Sequence, residues 1–112
     1  MHKIIFKGVT LLCGAFLSLS LAAQPYPNKP ISLVVPQAAG GTNDIVARLI
    51  APGFGDAIGG SVVVENRPGA GGNIGTQSVA RSAKDGYTLL LTIDSAQAIN
   101  PALYKNPGFD PV

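Results

Sequence analysis

Two segments of this chain repeat one pattern, and that pattern constrains the fold more than any other feature. "VVPQAAGGTNDIVAR" and "VVENRPGAGGNIGTQSVAR" each run from β-branched residues through an Ala-Gly-Gly loop into an amphipathic stretch ending in Ala-Arg. Residues 39–41 of the first match residues 70–72 of the second. A short apolar run bounded by glycine reads as a buried strand, and apolar residues at helical spacing read as a helix. "ISLVV" (31–35) and "SVVVEN" (61–66) are the first two strands, and "YTLLLTI" (87–93) is the third. Between them, Thr42 is the expected N-cap of a first helix, with Asp44 in its first turn and Ile45, Val46, Leu49 and Ile50 on its apolar side. Pro52, Gly53 and Gly55 are expected to end or kink it near Ala51, leaving "FGDAIGG" as a broken second piece. "NIGTQSVARSA" is the second helix, with Ile74, Val79 and Ala83 on its apolar side. "DSAQAINPALY" holds a loop and one helical turn. The order β-α-β-α-β, with continuous apolar strands, predicts an α/β fold built on a parallel sheet.

The first 23 residues stand apart. Lys3 and Lys7 precede the apolar run "GVTLLCGAFLSLSLAA", which ends in small residues. Ser20-Leu21-Ala22 is a cleavage site of the small-residue kind, with Ala23 as the alternative exit. Residues 1–23 therefore read as a secretory signal peptide helix, with export to the periplasm, and 24–112 as the mature part. An anchor helix is the alternative reading. No small residue stands directly before Cys13, so it is not in a lipoprotein site. Beyond the leader, six Lys/Arg face six Asp/Glu. That balance leaves no basic patch for nucleic acid. The one cysteine and the one histidine both lie in the leader, so the mature part is expected to hold no disulfide and no His/Cys metal site. No cofactor is expected.

Glycine-rich loops often cradle phosphates, but the phosphate patterns fail here. A dinucleotide loop starting at Gly69 needs glycine at position 74, which is Ile74. No Gly-Lys pair exists for a P-loop, and no G-x-S-x-G for a nucleophile elbow. Enzyme chemistry has little support. Both Ala-Gly-Gly loops lie between a strand's C-terminal end and a helix N-terminus. In a parallel sheet such loops open on one edge, where ligands bind. Helix N-termini present free N–H groups and partial positive charge, so the pair favours an anion held by backbone donors. The competing reading is that these glycines serve only tight turns and helix–strand packing.

At "PQAAGGTNDIVAR", "VVVENRPGAGGNIG" and "DGYTLLL…AINPALY" the chain resembles the Bug family, periplasmic solute-binding proteins of tripartite tricarboxylate transporters. The resemblance covers nearly all of residues 26–112. It implies a two-lobed type II periplasmic binding fold, of which 24–112 is the N-terminal part of the first lobe. It implies no enzymatic activity and a small organic acid as ligand: a di- or tricarboxylate, an acidic amino acid or an aromatic acid. Membrane transporter subunits are the further partners it implies for a full-length protein. Carried onto this sequence, the binding residues are Gln37, Ala38, Ala39, Gly40, Gly41 and Thr42 in the first loop, and Gly69, Ala70, Gly71 and Gly72 in the second. Asp44 follows the first loop; it either braces loop N–H groups or is a plain first-turn charge. Arg67 is either an anion clamp or a brace. Ser95 is a hydroxyl donor after the third strand. Asp94 departs from the small neutral residues usual at its position, and the Pro52–Gly55 stretch departs from an uninterrupted helix.

Members of the family are much longer than this chain. The second lobe and the return strands of the first are absent from it, so a truncated product, weak or inactive alone, is the expectation. A stand-alone variant that dimerises, a remnant that binds nothing and a nucleotide-binding enzyme are the alternatives.

Overall fold

The computed structural model describes residues 23–111; the leader expected over 1–23 lies almost wholly outside them. Three parallel strands form one sheet in the order β2-β1-β3. They are β1 (Ile31–Val35), β2 (Val62–Asn66) and β3 (Thr88–Leu90). Helix α1 (Thr42–Ile58) connects β1 to β2, and α2 (Asn73–Ala80) connects β2 to β3. A 3-10 turn (Ala70–Gly72) leads into α2, while a π-turn (Ser95–Ile99) and the short α3 (Asn100–Leu103) follow β3. The architecture is the parallel α/β unit that the strand–loop–helix repeat predicts.

Strand β1 is central, and Ile31, Val34 and Val35 are almost fully buried. In parallel register Leu33 faces Val64 on one side and Leu89 on the other. Paired residues point the same way, so alternate positions define two faces. Leu33 and Val35 pack with Val62, Val64, Leu89 and Leu91 beneath Ala47 of α1. Both ends of the sheet are edge strands.

Helix α1 departs from the sequence expectation in three ways. First, Gly41 is the N-cap, with extended backbone, and Thr42 is the first helical residue. Second, the helix does not stop near Ala51 but runs through Pro52 to Ile58. Proline forfeits one helical N–H bond, and here its ring faces outward, so the surrounding turns carry the helix on. The stop comes at Gly59, left-handed at φ 70°, where Gly59 N–H reaches Asp56 O and Gly60 N–H reaches Gly55 O, the two bonds of a Schellman ending.

Third, the buried side is the one with small residues. Ala47, Ala51 and Gly55 face the sheet, while Ile45 (60% exposed) and Leu49 (78%) point away with Val46 and Ile50. A Cβ on Gly55 would meet Gly60 O at 2.7 Å, so the chain turning back from the helix end toward β2 leaves no room for a larger side chain there. Helical spacing finds the helix but does not say which of its sides is buried.

Helix α2 shows the same inversion on a smaller scale. Asn73, Gly75 and Thr76 are buried, Ile74 is exposed, and Ala83 lies beyond the helix end. A Cβ on Gly75 would fall 2.6 Å from both Pro36 Cβ and Arg67 O, so glycine is what lets α2 close onto the end of β1. Strand β3 is shorter than the expected 87–93, although Leu91 N–H still bonds Val34 O. At the opposite edge, the proline-rich lead-in is pinned by Tyr26 Oη–H to Gly86 O (2.6 Å) and by Asn28 to the Tyr87 hydroxyl (2.8 Å). Among the described residues no helix is long and apolar enough to cross a membrane.

Candidate functional site

The loops after β1 and β2, and the π-turn that follows β3, meet at the C-terminal edge of the sheet. The first loop folds on itself: Gly41 N–H bonds Ala38 O (3.2 Å) and Gly40 N–H bonds the Asp44 Oδ2 carboxylate (2.8 Å). Two of the glycine amides are thereby engaged inside the loop. No side chain caps α1. Its first-turn N–H groups, which have no intrahelical acceptor, belong to Thr42, Asn43 and Asp44. Thr42 and Asn43 line a cavity of about 510 Å³ together with Gln37, Ala38, Gly41 and Ile93. The helix terminus therefore presents donors and partial positive charge to an open, largely apolar depression.

Asp44 is buried at the base of this terminus. The Gly40 amide, and after it the Arg48 side chain, hold its carboxyl below the ordinary value of 3.8. Arg48 Nε donates to Asp44 Oδ1 at 3.0 Å, which neutralises the carboxylate beneath the donors.

The second loop is strained. Gly69, Ala70, Gly71 and Gly72 all have positive φ, including 49° at Ala70, where a Cβ is disfavoured. The loop's own amides fold inward: Gly72 and Ile74 N–H point to Gly69 O. Gly72 sits against the first loop, since a Cβ there would lie 3.4 Å from Gln37 Nε2 and 3.2 Å from Ala96 Cβ. Asn100 buttresses the loop from α3, with Nδ2 donating to Gly71 O (2.8 Å) and Asn73 Oδ1 (3.0 Å).

The sequence-derived site residues thus fall into two groups. Gln37, Ala38, Gly41 and Thr42 share the cavity; Ala39, Gly40 and Asp44 flank or support it. Gly72 backs onto Gln37, whereas Gly69, Ala70, Gly71 and Ser95 do not line the cavity. The Ser95 amide is taken by the Asp94 carboxylate at 2.9 Å. Arg67 is turned to Glu65 (2.7 Å) and to Ser78 Oγ (2.9 Å), the geometry of a brace. It in turn holds the Glu65 carboxyl below its ordinary range. Sequence reasoning missed Asn43, whose Nδ2 donates to Gln37 Oε1 (2.9 Å), and Ile93 and Asn100. Asn100 lies in "AINPALY", which marked the resemblance without naming a role. Among the described residues no three His, Cys, Asp or Glu side chains gather as a metal site.

Residues 46–112 match the family described as tripartite tricarboxylate transporter family receptor. The chain belongs to that family. Protein BugT of Bordetella pertussis is 49% identical over 85 residues, which is 76% of this chain and 26% of BugT. The structure of the periplasmic binding protein BugD superimposes with a TM-score of 0.74 at 51% identity, covering 77% of this chain and 28% of BugD. MatC from Rhodopseudomonas palustris with bound malate superimposes at 0.73 and 35% identity, covering 77% of this chain and 29% of MatC. This chain therefore spans under a third of the length of these relatives.

Proposed function

We propose that this chain forms one wall of a periplasmic solute-binding receptor for an organic carboxylate, exported by a signal peptide over residues 1–23 that is then removed. The observation that carries the reading is the uncapped α1 terminus, whose Thr42 and Asn43 line the cavity at the sheet edge. A carboxylate there accepts from first-turn N–H groups without any cationic side chain, as helix termini allow. Asp44 does not oppose it, because its charge is taken up by Gly40 N–H and Arg48. Malate bound to MatC supports the ligand class. Ala38 and Ile93 supply apolar lining for the ligand's carbon skeleton. The Gly72 and Ile74 N–H groups are turned to Gly69 O and Gly72 lies against Gln37, which supports a backing role for the second loop behind the first. In a full-length receptor, transporter subunits in the membrane are the onward partners.

One wall leaves the ligand largely hydrated and forfeits the contacts of closure. The chain alone is therefore expected to bind with a Kd of about 1 mM or weaker. Titration of the purified chain with malate, glutamate and benzoate, against phosphate and a nucleotide as controls, tests the reading. Saturable binding of a carboxylate without turnover is the expected result. Preference for the nucleotide would move the chain to another class. Export is tested by mass spectrometry of the periplasmic fraction, where a product beginning at Ala23 or Gln24 is expected and one retaining Met1 contradicts it.

A further inference from the structure

Beneath the cavity a ring of side chains joins the two loops. The Asn66 side chain, at the exit of β2, donates from Nδ2 to Gln37 O at 3.2 Å. Its Oδ1 accepts from Arg48 Nη2 at 3.1 Å. Arg48 Nε donates to Asp44 Oδ1 (3.0 Å), Asp44 Oδ2 accepts from Gly40 N–H (2.8 Å), and Asn43, next to Asp44, donates to Gln37 Oε1 (2.9 Å). The path Gln37–Asn66–Arg48–Asp44–Asn43–Gln37 is closed by four hydrogen bonds and the Asn43–Asp44 peptide link. Each member is held by at least one other, Gln37 through its backbone O and its Oε1, so displacement of one releases its neighbours.

We propose that Asn66 and Arg48 are positioning residues for the anion site, closing a ring of hydrogen bonds that fixes the α1 terminus and the first loop relative to the start of the second. Neither lines the cavity. Asn66 is paired with Val35 at the end of the sheet, and the next residue begins the second loop through Arg67 N–H to Val35 O (2.9 Å). Its side chain thus ties the rigid end of β2 to the backbone of Gln37, where the first loop leaves β1. Arg48 transmits that anchor to Asp44, and Asp44 holds the loop amide at Gly40. The Arg48 guanidinium is engaged at both ends, so it orders the terminus and does not clamp the ligand.

The inference rests on the reading of the α1 terminus as the carboxylate site, and the test separates the two. Amide resonances of the purified chain are compared for wild type, Asn66→Ala, Arg48→Ala and the double variant, each with and without malate. Without ligand, both single variants are expected to move the Gly40, Thr42 and Asn43 amide signals while leaving those of Leu33 and Leu89 in place. Malate affinity is expected to fall about three- to tenfold in each single variant, the scale of one or two lost hydrogen bonds. The double variant should lose little more than either, because partners in one network are not additive. Unmoved first-loop amides in both single variants, or fully additive losses, overturn the ring. Arg48 is half exposed, so its variant folds even where Asn66→Ala does not. Moved amides with no malate response in wild type would uphold the ring and remove the carboxylate reading.

Discussion

Gly72 carries two constraints at once. Its φ of 99° lies where side chains are strained, and a Cβ would press on Ala96 and Gln37. Gly72→Val is therefore expected to destabilise the chain by about 1–3 kcal/mol, read as a lower midpoint in urea. A binding loss in that variant follows from displacement of Gln37, so stability and affinity should fall together. Arg67→Ala is milder: its partner Glu65 is 42% exposed, and such pairs contribute about 0–1 kcal/mol. Asp44 gives the pH dependence. Its folded value lies below its ordinary 3.8, so the stability it contributes is fully present above 3.8 and is lost as pH falls through the lowered value. Acid unfolding of wild type should steepen below pH 3.8, and Asp44→Asn should flatten that slope; an unchanged slope would show that the carboxylate is not held as described.

The helices and strands were legible to different degrees. β1 emerged with its full extent because four apolar residues of five, between Pro30 and Pro36, leave little choice. Helix α1 was found, but its side and its end were misread. Alanine and glycine are weak signals next to Ile45 and Leu49, yet distance to the sheet selected Ala47, Ala51 and Gly55. In the sequence Pro52 signals a stop, whereas the helix ends at the left-handed Gly59. Since Pro52 forfeits a helical bond, Pro52→Ala is expected to stabilise the chain by about 2 kcal/mol, measured as a raised thermal midpoint. No gain would mean that the helix tolerates Pro52 at no net cost. Leu49→Gln, at a site 78% exposed, should shift stability by no more than about 0.5 kcal/mol; a larger loss would place the outer side of α1 in a contact. Site residues were legible where glycine loops met helix starts. Asn43, Asn66 and Asn100 were not, because polar residues reveal their partners only when chain segments far apart in sequence are brought together.

At the scale of the molecule, the order β2-β1-β3 brings the loops after β1 and β2, and the π-turn after β3, to one edge. That placement makes a wall rather than an enclosed pocket. The central claim is that the α1 terminus in this wall receives the carboxylate. Mapping amide signals of the purified chain during a malate titration tests it most directly. The account predicts weak, saturable shifts centred on Thr42 and Asn43, with smaller ones at Gln37 and Gly72. Shifts confined to the opposite edge around Tyr26 and Tyr87, or binding tight enough to need no second wall, would contradict it.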